Sequence, residues 1–134
     1  MKEPACKVLF TLHGRVVRGK GNGKTVGMPT ANLEVAQGEQ LPPFGVYASL
    51  VHVGESVRLG VTNVGYRPSV DDEQRISVET YLLDFDGLLY GQELCVEFYY
   101  FLRPTRKMES LDAVRKQVAR DEAQVRLLLA DMVC

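Results

Sequence analysis

Apolar and polar positions alternate along most of the chain, and the period lengthens only toward its C-terminal end. In the run 93–102, Leu94, Val96, Phe98, Tyr100 and Leu102 share one face of an extended segment, while Glu93, Cys95, Glu97, Tyr99 and Phe101 share the other. The first face predicts core and the second partial exposure. Three further runs, 46–53, 57–65 and 76–85, are rich in Val, Leu and Tyr and are bounded by Gly, Pro, Asp or Glu, so each predicts a strand. Residues 8–17 predict a first strand with Gly14 as a bulge or a point of close approach, and residues 30–35 a short extended piece. The prolines at 42 and 43 exclude a central strand between 37 and 45.

From Ser110 onward the apolar residues Leu111, Val114, Val118, Val125, Leu128 and Met132 recur near a helical period, with Ser110 as N-cap and Asp112 in the first turn. One long amphipathic helix is predicted, its polar stretch 115–124 reading as solvated surface. About six strands followed by one helix imply a closed antiparallel barrel or a sandwich, with the helix packed outside and functional groups on loops at one rim.

Composition narrows the possibilities without naming a chemistry. At 134 residues the chain suits a single domain, 1–134, with 46% apolar and 25% charged residues. A net charge of -1 gives no general attraction to nucleic acid or to an anionic membrane. The first apolar stretch is interrupted by His13, Gly14 and Arg15, so it reads as neither a signal peptide nor a membrane span. Three scattered cysteines, Cys6, Cys95 and Cys134, suit a reducing, cytoplasmic setting, and two isolated histidines argue against a zinc site. No exposed apolar stripe is evident, so a monomer is expected.

The segment 19–32, GKGNGKTVGMPTAN, invites comparison with a nucleotide-phosphate loop. Gly23-Lys24-Thr25 supplies the end of a Walker motif, but Arg18 stands where its first glycine belongs. A dinucleotide fingerprint fails as well, and Pro29 would break a helix launched at Lys24. A glycine-rich loop leading into an extended segment remains. Its successive amides can cradle phosphate without a helix, and the alternative is a flexible turn between strands.

Three places carry polar residues that a barrel alone does not need. Thr30 and Asn32 project to one face of an extended segment, and oxygen ligands so placed suit Mg²⁺, which completes its shell with water and phosphate oxygens; the plain alternative is a turn. Glu79 shares a face with Ser77, Tyr81 and Leu83, opposite Ile76, Val78 and Leu82, and is either a solvated strand residue or a base for a hydroxyl nucleophile. Arg103, Arg106 and Lys107 lie between the last strand and the helix, where they either orient a ligand or face solvent.

Taken in order, GRVVRGKGNGKTVGMPTANL, LPPFGVYASLV, GVTNVGYRPS, VETYLLDFDGLLYGQELCVEF and LRPTRKMESLDAVRKQVARD resemble the riboflavin kinase (flavokinase) family over nearly the whole chain. The resemblance implies a six-stranded antiparallel Greek-key barrel with a C-terminal helix outside it. It also implies transfer of the ATP γ-phosphoryl group to the ribityl 5′-hydroxyl of riboflavin, giving FMN and ADP. By the same resemblance Gly19, Gly21, Gly23, Lys24 and Gly27 form a phosphate-covering loop, and Thr30 and Asn32 are metal and phosphate ligands for Mg²⁺, with Zn²⁺ or Mn²⁺ as alternatives. Glu79 is the catalytic base, Leu82, Asp84 and Tyr90 line the nucleotide site, and Arg103 and Arg106 lie on the flavin side. Ser69 and Met108 depart from the residues common in the family at those positions, Thr and Phe. Bacterial members usually carry an FAD-synthesising domain as well, so these residues are expected to be a stand-alone kinase or a piece of a longer protein. A barrel that binds a nucleotide or flavin without chemistry is the reading from another class, and a nucleic-acid-binding barrel fits the near-zero charge poorly.

Overall fold

The computed structural model describes residues 8–17, 30–35, 40–67, 75–85, 89, 91–105 and 109–132. Strong alternation yields six strands: β1 (Phe10–Val17), β2 (Thr30–Leu33), β3 (Gly45–Val53), β4 (Ser56–Arg67), β5 (Arg75–Leu82) and β6 (Glu93–Arg103). The helix α1 (Leu111–Leu129) follows and ends in a 3₁₀ turn, Ala130–Met132. All the pairings are antiparallel, and the sheet closes on itself in the order β1-β2-β5-β4-β3-β6. The arrangement of β3, β4 and β5 with β6 returning beside β3 is a Greek key. Of the barrel and the sandwich the sequence allowed, the barrel is formed.

The period-2 pattern decides what each strand gives to which side. Leu12 and Val16 of β1, Ala31 and Leu33 of β2 and Val78 of β5 point inward and meet Phe98 in the barrel interior. Strand β3 is buried on both faces because its inward residues Tyr47 and Val51 fill the barrel while Val46, Ala48 and Leu50 lie under the helix. Val125 and Leu129 of α1 seal that outer layer and are fully buried. Ser110 caps the helix as its spacing predicts, its Oγ accepting from the Ala113 amide at 3.1 Å.

Gly14 is a point of close approach: a Cβ there would lie 3.3 Å from the Glu34 carbonyl and 3.4 Å from the Leu33 Cβ. Inside the barrel three enclosed hydroxyls form a chain, Ser49 to Thr62 at 2.7 Å and Thr62 to Thr80 at 2.9 Å, so the buried oxygens satisfy one another.

Two expectations need correction. The predicted alternation in β6 holds only as far as Phe98, because Ala48 and Ser49 pair with Tyr100 and Phe98, and Val46 and Tyr47 with Arg103 and Phe101. Tyr99 and Leu102 are thus passed over as bulges, and each bulge reverses which face the next residue takes. Tyr100 consequently joins the layer beneath the helix, and Phe101 packs edge-on against Tyr47 at 5.4 Å. The fifth strand also stops at Leu82 rather than 85, since Leu83 and Asp84 form a turn in which Asp84 has φ 55°.

Candidate active site

The registers of four strand pairs build one continuous row across the sheet. Asn32 of β2 pairs with Glu79 of β5, Glu79 with Asn63 of β4, Asn63 with Val46 of β3, and Val46 with Arg103 of β6. The neighbouring row runs Thr30, Tyr81, Val61, Ala48, Tyr100. Because Ala31, Val78, Thr80 and Thr62 face the interior, both rows face outward. The three polar places that are far apart in sequence, Thr30 with Asn32, Glu79, and Arg103, therefore share one stretch of the barrel's outer wall.

A cleft opens where α1 leans over that wall. Its barrel side is made by Thr30, Val46, Val61, Asn63, Glu79 and Tyr81, its helix side by Val114, Gln117, Val118 and Asp121, and its end by Arg103 and Thr105. Asn32 stands half-buried beside Glu79 in the ladder. The expectation of rim loops is corrected for the described residues: these polar groups stand on strands, Asn32 and Glu79 paired on both sides in the sheet and Thr30 and Arg103 on one. Glu79 is half-buried, and Ser77, two residues away on the same face, donates its hydroxyl to Oε1 at 3.3 Å. Burial first, and then the charge of Glu122, pushes the Tyr81 phenol up, so it stays protonated and donates to Glu122 at 3.3 Å.

Arg103 is engaged with the helix. Its Nε and Nη2 donate to the two oxygens of Asp121 at 3.0 and 2.8 Å, and Gln117 donates to the same carboxylate at 3.0 Å. Asp121 is almost wholly buried, which corrects the reading of 115–124 as uniformly solvated. Positions 114, 118, 121 and 125 fall on one helical stripe, and a charged residue in the place of an apolar one was the signal available in the sequence. Asn63 carried a similar signal, a polar residue in line with Val57, Leu59 and Val61 on one face of β4.

Leu82 and Asp84 lie elsewhere. Leu82 is fully buried in the barrel interior, because the parity that turns Glu79 and Tyr81 outward turns it inward, so its side chain does not line the cleft. Asp84 sits in the turn after β5, where Arg126 grips its carboxylate with two hydrogen bonds of 2.8 and 2.9 Å and also holds Glu122 at 2.8 Å. Those Arg126 bonds hold the Asp84 carboxyl below the usual carboxylate range, and the same partners raise the Arg126 guanidinium, keeping it charged. Gly19, Gly21, Gly23, Lys24, Gly27, Tyr90, Arg106, Lys107, Ser69 and Met108 lie outside the described residues.

Among the described residues no three His, Cys, Asp or Glu side chains gather as a metal site. The oxygen donors along the outward rows include the Thr30 hydroxyl, the Asn32 and Asn63 carboxamides and the Glu79 carboxylate. Such a set suits a hard cation shared with phosphate oxygens and does not suit a closed thiolate or imidazole site. Cys95 is a free thiol. No described helix is long and apolar enough to cross a membrane.

These features define a small closed β-barrel with a ligand-sized cleft on its wall, where a strand-borne carboxylate stands among amides and hydroxyls. A family model for riboflavin kinase, Flavokinase, matches residues 7–129, and the chain belongs to the riboflavin kinase family. The bifunctional riboflavin kinase/FMN adenylyltransferase of Listeria monocytogenes is 35% identical over 123 residues, which are 92% of this chain and 39% of that protein. Its counterpart in Escherichia coli K12 is 38% identical over 118 residues, 87% of this chain and 37% of that protein. The RNA-binding riboflavin kinase RibR of Bacillus subtilis is 35% identical over 108 residues, 81% of this chain and 46% of that protein. A crystal structure described as a macrolide-efflux protein from Streptococcus pneumoniae matches with a TM-score of 0.79 at 29% identity, over 87% of this chain and 38% of that one. The chain thus spans less than half the length of these relatives.

Proposed function

We propose that this chain transfers the γ-phosphoryl group of ATP to the ribityl 5′-hydroxyl of riboflavin. The observation that carries the reading is the outward row Asn32, Glu79, Asn63, which puts a carboxylate between two carboxamides at the wall of a cleft. Phosphoryl transfer asks the protein chiefly for positioning and charge stabilisation. Glu79, fixed in mid-strand, accepts the proton of the 5′-hydroxyl as its oxygen bonds to the γ-phosphorus. The bond from that phosphorus to the β,γ-bridging oxygen breaks, and ADP leaves with the electron pair. Ser77, donating to one carboxylate oxygen, leaves the other to receive the proton.

Thr30 and Asn32 would hold Mg²⁺, or Mn²⁺ or Zn²⁺ in its place, whose contribution is to offset phosphate charge. The apolar walls Val46, Val61, Val114 and Val118 suit a planar ring and exclude water from it. Gly19, Gly21, Gly23, Lys24 and Gly27 are assigned to covering the phosphates, Tyr90 to the nucleotide and Arg106 to the flavin, on the family's motif alone. The chain acts as a cytoplasmic monomer without a nucleic-acid partner, a reading supported by its near-neutral charge and by three cysteines scattered at 6, 95 and 134 along the sequence.

Incubation with riboflavin, ATP and Mg²⁺ followed by chromatography tests this directly. FMN should accumulate with one ADP per FMN. Riboflavin recovered unchanged, though bound, would make the barrel a flavin or nucleotide carrier instead.

A further inference from the structure

We infer that Asp121 is a positioning residue for this reaction, clamping α1 to the end of β6 through Arg103 so that the cleft keeps the width a flavin requires. The inference rests on the kinase reading of the cleft. Asp121 occupies a place on the barrel-facing stripe between Val118 and Val125 where an apolar residue would pack, and it is only 3% exposed. Burying a carboxylate there is a poor way to stabilise a fold, since apolar residues of similar volume do as well or better. What the ion pair adds is geometry.

Apolar association is non-directional, whereas a guanidinium fork on a carboxylate has one favoured distance and plane. Here both oxygens of Asp121 are taken, at 3.0 and 2.8 Å from Arg103 Nε and Nη2, and Gln117 one turn earlier adds a third bond at 3.0 Å. Arg103 is itself fixed by pairing with Val46 in the sheet. The clamp therefore sets both the rotation of α1 and its distance from the barrel at the cleft. With its charge answered by Asp121, Arg103 presents no net cation to phosphate from this pair. Loss of the clamp should consequently be felt in flavin binding and not in nucleotide binding.

The test compares the parent chain with Asp121→Asn and with the double variant Arg103→Met/Asp121→Leu, which replaces the pair by apolar contact, an exchange that is often neutral or stabilising for a buried ion pair. Thermal unfolding establishes that each variant is folded, and initial rates are measured against riboflavin and against ATP. Both variants should raise the riboflavin KM by about tenfold or more while the ATP KM moves by less than about twofold, the scale of loss that a misplaced binding wall produces. If Asp121→Asn does not fold, the double variant decides alone. A folded double variant with the parent's riboflavin KM, or with both KM values raised alike, overturns the inference. A parent chain that forms no FMN overturns the kinase reading instead, and the two failures are seen in different samples.

Discussion

Asn32 on β2 and Glu79 on β5 are partners in one antiparallel ladder, both on the outer face of the barrel. Side chains directly opposed in this way have Cβ atoms about 5 Å apart, close enough to attend to the same ligand. The carboxamide oxygen suits a cation or a phosphate-bound water, and the carboxylate suits a hydroxyl proton. Adjacent strands thus bring together two groups that are 47 positions apart in the chain.

Glu79 is tested first, as the proposed proton acceptor. Glu79→Gln keeps size and hydrogen-bonding reach but cannot take the proton, so turnover should fall about 10²-fold or more. Riboflavin affinity, read from flavin fluorescence on the same sample, should stay near that of the parent. Parental turnover would return Glu79 to the status of an ordinary strand residue.

Thr30→Val and Asn32→Leu address the oxygen donors. Each removes a neutral oxygen donor from the outward face without touching the interior, where Ala31 and Leu33 do the packing. ATP titrations in excess Mg²⁺ should show weaker nucleotide binding, with thermal unfolding close to the parent. Unchanged affinity and turnover in both variants would take these positions out of the site.

The Asp84–Arg126 pair gives a prediction in pH. Arg126 depresses the Asp84 pKa in the folded state, so the pair's contribution is fully present above the unfolded value of about 3.9 and is lost as pH falls through the lower, folded one. Asp84→Asn tolerates the same left-handed backbone and should melt slightly below the parent at neutral pH. The gap should close below about pH 4. A gap that persists in acid would assign the effect to the turn itself and not to the ion pair.

Gly60 predicts a packing cost. A Cβ there would lie 2.8 Å from Val51 Cγ2 and 2.9 Å from Ser49 Oγ, inside the barrel. Gly60→Ala should lower unfolding stability by about 1–3 kcal/mol in denaturant titrations, as overpacking does. Parental stability would mean that the interior yields to a methyl group.

What the sequence disclosed was whatever depends on near neighbours. The alternation at 94, 96 and 98, the cap at Ser110 and the shared face of Glu79 and Tyr81 all follow from local periods. The row from Asn32 through Glu79 to Arg103 does not, because register between strands is set by packing among segments distant in the chain. The bulges at Tyr99 and Leu102 were hidden for the same reason: they fit β6 to β3, and nothing in β6 alone marks them. Asp121 is expected in solvent because a polar helix face normally meets water, and only the position of the cleft shows that part of this one does not.

The hydroxyl chain inside the barrel has a direction. Thr62 stands between Ser49 and Thr80 with one proton to give, so it cannot donate to both neighbours. When that proton is used within the chain, donation runs either from Ser49 toward Thr80 or the reverse, and turning one bond requires turning the other. Three strands are therefore joined across the interior by an electrical polarity with two opposite settings, shut away from solvent. Its hydroxyl protons should exchange slowly enough to be seen by nuclear magnetic resonance, as an internal reporter of whether the barrel is closed.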